Sequence, residues 1–102
     1  MKFMVTFEWE ADAQIRAEGI ARFRKTGGLP PTGAKLLGRW TRADLSGGYD
    51  LIETDDPQAL AEFSLMWSDL MRLSVVPVLE DGPLTEVLAR ATQAHGVCVR
   101  RT

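Results

Sequence analysis

In residues 3–9, Phe3, Val5, Phe7 and Trp9 alternate with Met4, Thr6 and Glu8, the period-two pattern of a strand with one strongly apolar face. From residue 12 to residue 26 the period lengthens. Ile15, Gly19 and Phe23 fall at i, i+4 and i+8, and Gly27-Gly28 followed by Pro30-Pro31 supplies a helix stop. Residues 34–41 read as a second strand, with Leu36, Gly38 and Trp40 assigned to one side and Lys35, Leu37, Arg39 and Thr41 to the other. Ser46-Gly47-Gly48 breaks the pattern within a turn over residues 44–48, so a third strand over residues 49–54 is expected to return as a hairpin.

Asp55-Asp56-Pro57 offers an acidic N-cap with proline at the first helical position, which predicts a second helix starting at Pro57. Plotted at about 100° per residue, Ala59, Leu60, Phe63, Met66, Trp67, Leu70 and Met71 form one arc, opposite Gln58, Glu62, Asp69 and Arg72. Residues 73–79 are apolar in both phases, which predicts a fourth strand covered on both faces. Pro77 cannot donate to a ladder, so that strand belongs at a sheet edge or a bulge. Beyond Asp81-Gly82-Pro83, Leu84, Val87, Leu88 and Ala91 make the stripe of a short amphipathic helix that Gly96 ends, and Val97-Cys98-Val99 read as extended.

The order βαββαβ plus a helix predicts an α+β, ferredoxin-like fold: a four-stranded antiparallel sheet, two helices on one face, and an extra C-terminal helix. Strands two and four are the expected edges. Residues 1–82 form the predicted domain, with residues 83–102 packed on it or on a partner. Two helices cover one face only, yet strands one to four carry apolar side chains in both phases, including Met4, Leu37, Ile52, Val76 and Val78. An uncovered apolar sheet face of that size predicts a homodimer with its sheets packed face to face.

Composition narrows the partners. The 102 residues carry 12 Lys+Arg against 14 Asp+Glu, a formal charge of −2, and 45% hydrophobic residues. That is one domain with no excess of basic groups to neutralise phosphates, so nucleic acid is not an expected partner. No apolar run suits a bilayer span and the run from Phe3 to Phe7 is too short for a secretory signal, so the expectation is a cytoplasmic protein without a membrane partner. Cys98, alone, forms no internal disulfide, and with only His95 nearby it makes no zinc set. No metal and no cofactor are expected.

The strings GAKLLGRW (residues 33–40), ETDDPQAL (53–60), WSDL (67–70) and VVPVLED (75–81) resemble a family of small bacterial proteins of unknown function, assigned to the dimeric α/β-barrel superfamily. The resemblance spans about residues 3–82 and implies the fold and the dimer, but no activity. The wider superfamily includes cofactor-free quinol-type monooxygenases, haem-degrading enzymes, lactone isomerases and stress-responsive binding proteins, with ligands held between helices and sheet. That breadth makes the fold a poor guide to chemistry. Haem-degrading members use a histidine near a tryptophan; here the only histidine, His95, lies outside the similar region.

Trp9, Trp40 and Trp67 are candidate walls of a pocket for a flat apolar ligand, although core packing among Leu60, Phe63 and Leu70 is the simpler account of Trp67. Arg39 and Glu53 are charged residues inside strands; cross-strand pairing is the first explanation for both, and a ligand anchor the second. The planar fork of Arg39 would suit a carboxylate or carbonyl. Arg16 interrupts the apolar arc of the first helix, which snorkelling explains. His95 suits a helix C-terminus, while Tyr49 and Asp50 are further polar candidates beside it for proton transfer. The resulting expectation is a homodimeric domain that binds a small apolar or aromatic molecule, in the manner of a cofactor-independent monooxygenase or isomerase. Candidate site residues are Trp9, Arg39, Trp40, Tyr49, Glu53 and Trp67. The alternative is a non-catalytic dimeric interaction or regulatory module whose aromatics all serve packing.

Overall fold

A computed structural model describes residues 1–95 of the chain. The order is β1 (Lys2–Trp9), α1 (Ala13–Thr26), β2 (Ala34–Thr41), β3 (Gly47–Thr54), α2 (Pro57–Trp67), β4 (Met71–Val78) and α3 (Asp81–His95). The four strands pair antiparallel in the order β2-β3-β1-β4, so the fold is the expected ferredoxin-like α+β with strands two and four at the edges. Pro77 therefore sits on an edge strand. The predicted helix end at Gly96, the extended segment 97–99 and Cys98 lie outside the described residues, as does the side chain of His95.

Local chemistry sets the element ends. Asp12 caps α1, its carboxylate accepting from the backbone N–H of Gln14 and Ile15. Gly27, at φ 74°, closes α1 with its N–H donating to the carbonyl of Phe23. Asp56 caps α2 through the N–H of Gln58, and Pro57 occupies the first turn. The buried Thr54 hydroxyl donates to the carbonyl of Gly33 and accepts from the Asp56 N–H, tying the end of β3 to the start of β2 and to this cap.

The core lies between the sheet and its two helices. Val5, Phe7 and Ile52 on the sheet meet Leu60, Phe63 and Trp67 of α2. Three sequence expectations change here. The second helix stops at Trp67, so Leu70 fills the core from the turn after it and Met71 opens β4. Strand three begins at Gly47, two positions before the expected start. Strand four is not covered on both faces: Val75 and Val76 are 37% and 51% exposed on the single chain.

A bulge in β2 is the largest departure from strict alternation. Leu36 pairs with Ile52 on the core face, but the register then skips one residue, and Gly38 pairs with Leu51. Beyond the bulge, Arg39 and Thr41 stand opposite Asp50 and Gly48 on the core face, while Trp40 stands opposite Tyr49 on the open face. The single expected side of Leu36, Gly38 and Trp40 is thus split in two.

Candidate functional site

Phe7 and Trp9 project from β1 toward α1, held edge to face with centroids 6.4 Å apart. Trp9 comes so close to α1 that a Cβ at Gly19 would lie 2.0 Å from its ring, so glycine is required there for the indole to approach the helix backbone. Arg16, Ile20 and Phe23, one stripe of α1, hang over the sheet beside it. Phe63 and Trp67 approach from α2, and Met71 and Leu73 from β4. Together they enclose a cavity of about 190 Å3 between helices and sheet, open at one side.

The outer wall is fixed by Arg22. Its guanidinium makes two parallel bonds of 2.9 Å to Asp69, donates to the carbonyl of Met66, and lies 5.4 Å over the Trp67 ring. The same guanidinium holds the Asp69 carboxyl below its ordinary range. One arginine of α1 thereby anchors the end of α2 and the indole it carries.

Against this apolar wall stands a charged pair of a half-buried arginine and a buried aspartate. Arg39 Nε donates to Asp50 Oδ1 at 2.6 Å, and Nη2 reaches Oδ2 at 3.5 Å. Nη1 and Nη2 also donate to the carbonyls of Gly27 and Gly28, and the guanidinium lies 5.4 Å over Phe23. Gly28, at φ 63°, leaves no room for a side chain between Arg39 and Phe23. Asp50 is 3% exposed. Burial pushes its carboxyl above the ordinary carboxylate range, against the opposing pull of Arg39. The cross-strand explanation of Arg39 holds, and the pair is also part of the cavity wall.

The predicted residues separate into two groups. Trp9, Arg39 and Trp67 line the cavity. Trp40 and Tyr49 lie across the sheet, 56% and 39% exposed, because the bulge turns Trp40 outward and Tyr49 is its partner. Glu53 is also on that open face, opposite Lys2 and Lys35, and lines a separate open groove where β4 leads into α3. These three are removed from the cavity by the parity of their strand positions. Asp50, one of the sequence-level candidates for proton transfer, is on its wall. Phe7, Ile20, Phe23 and Phe63 were not singled out as site residues. The alternation Asp50, Ile52, Thr54 with Ile52 in the core is the signal that places Asp50 inward.

Among the described residues no group of three or more His, Cys, Asp or Glu side chains is placed to hold a metal ion. No helix among them is long and apolar enough to cross a membrane. Over residues 1–92 the sequence matches the model of a family described as a domain of unknown function, DUF3303. Comparison with curated proteins gave no match.

Proposed function

The chain belongs to the DUF3303 family, whose description assigns no activity, and we propose from the site itself that it is a homodimeric domain binding a small, largely aromatic molecule between helices and sheet. The observation that carries this reading is the cavity: Trp9, Phe23, Phe63 and Trp67 surround the Arg39–Asp50 pair. Aromatic walls with a few placed polar groups are the usual make-up of a small-molecule site. An apolar cavity of ~150 Å3 accepts benzene. The size here suits a molecule of one ring with substituents, or a compact two-ring one.

Asp50 is the titratable acid on the wall, so proton transfer is the chemistry the chain's own residues support, as an isomerase would use. The second copy is supported by the open sheet face, where Met4, Trp40, Tyr49, Leu51, Val76 and Val78 share one side of all four strands. Lys2, Lys35, Glu8, Glu53 and Arg72 rim that face with both signs of charge, which lets an identical face pair with it about a two-fold axis. The exposed apolar stripe of α3 supports a second reading, an interaction module, in which the cavity plays no part.

Native mass spectrometry of gently purified protein separates the readings. We expect two chains with added small-molecule mass, and loss of that mass but not of the dimer in Ile20→Trp, which fills the cavity from α1. A dimer that carries no added mass and takes up none of a set of one- and two-ring aromatics would favour the interaction module. A monomer at micromolar concentration would remove the second copy.

A further inference from the structure

We infer, resting on the cavity as a small-molecule site, that its ligand is an uncharged aromatic carrying a hydroxyl, a phenol, which donates a hydrogen bond to Asp50, and is not an aromatic acid bound by Arg39. A guanidinium has five N–H donors and no acceptor. Four contacts engage Arg39 with protein oxygens: Asp50 Oδ1, Asp50 Oδ2 and the carbonyls of Gly27 and Gly28. Its charge is already matched by a carboxylate 2.6 Å away. Arg16, the other cation of the lining, is exposed to solvent, so an anion placed against Arg39 would meet an already neutral pair and put a second negative charge beside the buried Asp50.

Asp50 has capacity to spare. An ionised carboxylate offers about four lone-pair sites, and Oδ2 is engaged only at the 3.5 Å limit of hydrogen bonding. The side chain is buried on the cavity wall, so what reaches it is a group inside the cavity. Around it the wall is aromatic and aliphatic, from Trp9, Phe23, Phe63 and Leu73. A ring fills that space and a hydroxyl on the ring meets the one carboxylate of the lining. Both requirements describe a phenol.

Three para-substituted toluenes test this: 4-methylphenol, p-xylene and 4-methylbenzoate, titrated into full-length protein while the indole N–H signals are followed by NMR. Trp9 and Trp67 report on the cavity, and Trp40, on the other face, is the internal control. The expected result is that 4-methylphenol binds tightest, at least tenfold tighter than 4-methylbenzoate, and moves the Trp9 and Trp67 signals without moving Trp40. Equal or tighter binding of p-xylene or of 4-methylbenzoate would overturn the inference while leaving the cavity a ligand site. No shift of Trp9 or Trp67 with any probe would overturn the site itself, and the inference with it. Asp50→Asn leaves Arg39 unneutralised and should reverse the order, with 4-methylbenzoate now tighter than 4-methylphenol; a retained phenol preference counts against Asp50 as acceptor. Should that variant not fold, the order measured on the unmodified protein decides.

Discussion

Arg39 and Asp50 form a pair whose two halves are unequal in their alternatives. Arg39 keeps two carbonyl acceptors and partial exposure if Asp50 is lost, whereas Asp50 without Arg39 is a carboxylate at 3% exposure with its main partner gone. Removing one member of a buried pair costs about 3–5 kcal/mol when the other charge stays unpaired. Asp50 can escape that cost by taking up a proton. In Arg39→Met only the burial that raises its carboxyl remains, so the folded state binds the proton more tightly than the unfolded chain. Stability of the variant is then highest below the ordinary carboxylate range and falls as pH rises through the raised folded value. Thermal melts at a series of pH values from 4 to 8 should show a steeper fall for Arg39→Met than for the unmodified protein, where Arg39 opposes the effect of burial, and a fall no steeper than that of the unmodified protein would contradict the burial of Asp50. Gly19 gives a second test at this scale. Gly19→Val puts methyls into the Trp9 ring and should cost ~1–3 kcal/mol as overpacking, with a red shift of tryptophan emission as the indole moves toward water.

At the scale of elements, the caps were the most legible features. Gly27 ends α1 and Asp56-Pro57 starts α2, because the unsatisfied N–H and C=O groups of a helix end select a short list of residue types, whereas the Asp12 cap was not among the expectations. Asp56→Ala should lower stability by about 1 kcal/mol, or ~4–8 °C in melting temperature for a domain of this size. Because α2 carries Phe63 and Trp67, the same substitution should weaken ligand binding in calorimetry at temperatures approaching its melting point. The bulge at Leu36–Gly38 was not legible, and it is what misplaced Trp40. Alternation assigns every second residue to one face, and nothing in Leu36-Leu37-Gly38 marks which residue is skipped until the partner strand is known. Arg39 was placed among candidates by its charge alone, and its partner Asp50 emerged from the register. The end of α2 was missed for a related reason: Leu70 and Met71 are apolar at helical spacing, yet they belong to a turn and a strand that face the same core.

The whole molecule is longer than its chain length requires. Its radius of gyration is 17.4 Å and its extents are 55 × 30 × 18 Å, against a radius of about 13 Å for a compact chain of this length. The cause is α3, whose described side chains are exposed apart from the half-buried Ala91, leaving Leu84, Val87 and Leu88 at 40–43% exposure. A helix with such a stripe gains most of its stability by burying it. The described residues thus carry two unburied apolar surfaces, this stripe and the open sheet face, and a second copy able to cover the sheet face offers the same surfaces in return. Val76, 51% exposed on that face, separates the isolated chain from the pair. On a monomer, Val76→Lys is a surface change and should alter stability by within about 0.5 kcal/mol. In a face-to-face pair the same lysine is driven, with its symmetry mate, into an apolar interface, which costs several kcal/mol unless it finds a partner. Sedimentation velocity at micromolar concentration should therefore show two chains for the unmodified protein and one for Val76→Lys, with the far-ultraviolet circular dichroism of the two proteins alike. A variant that sediments as the unmodified protein does would place the association, if there is one, on the α3 stripe, where Leu84→Lys with Leu88→Lys is the corresponding test.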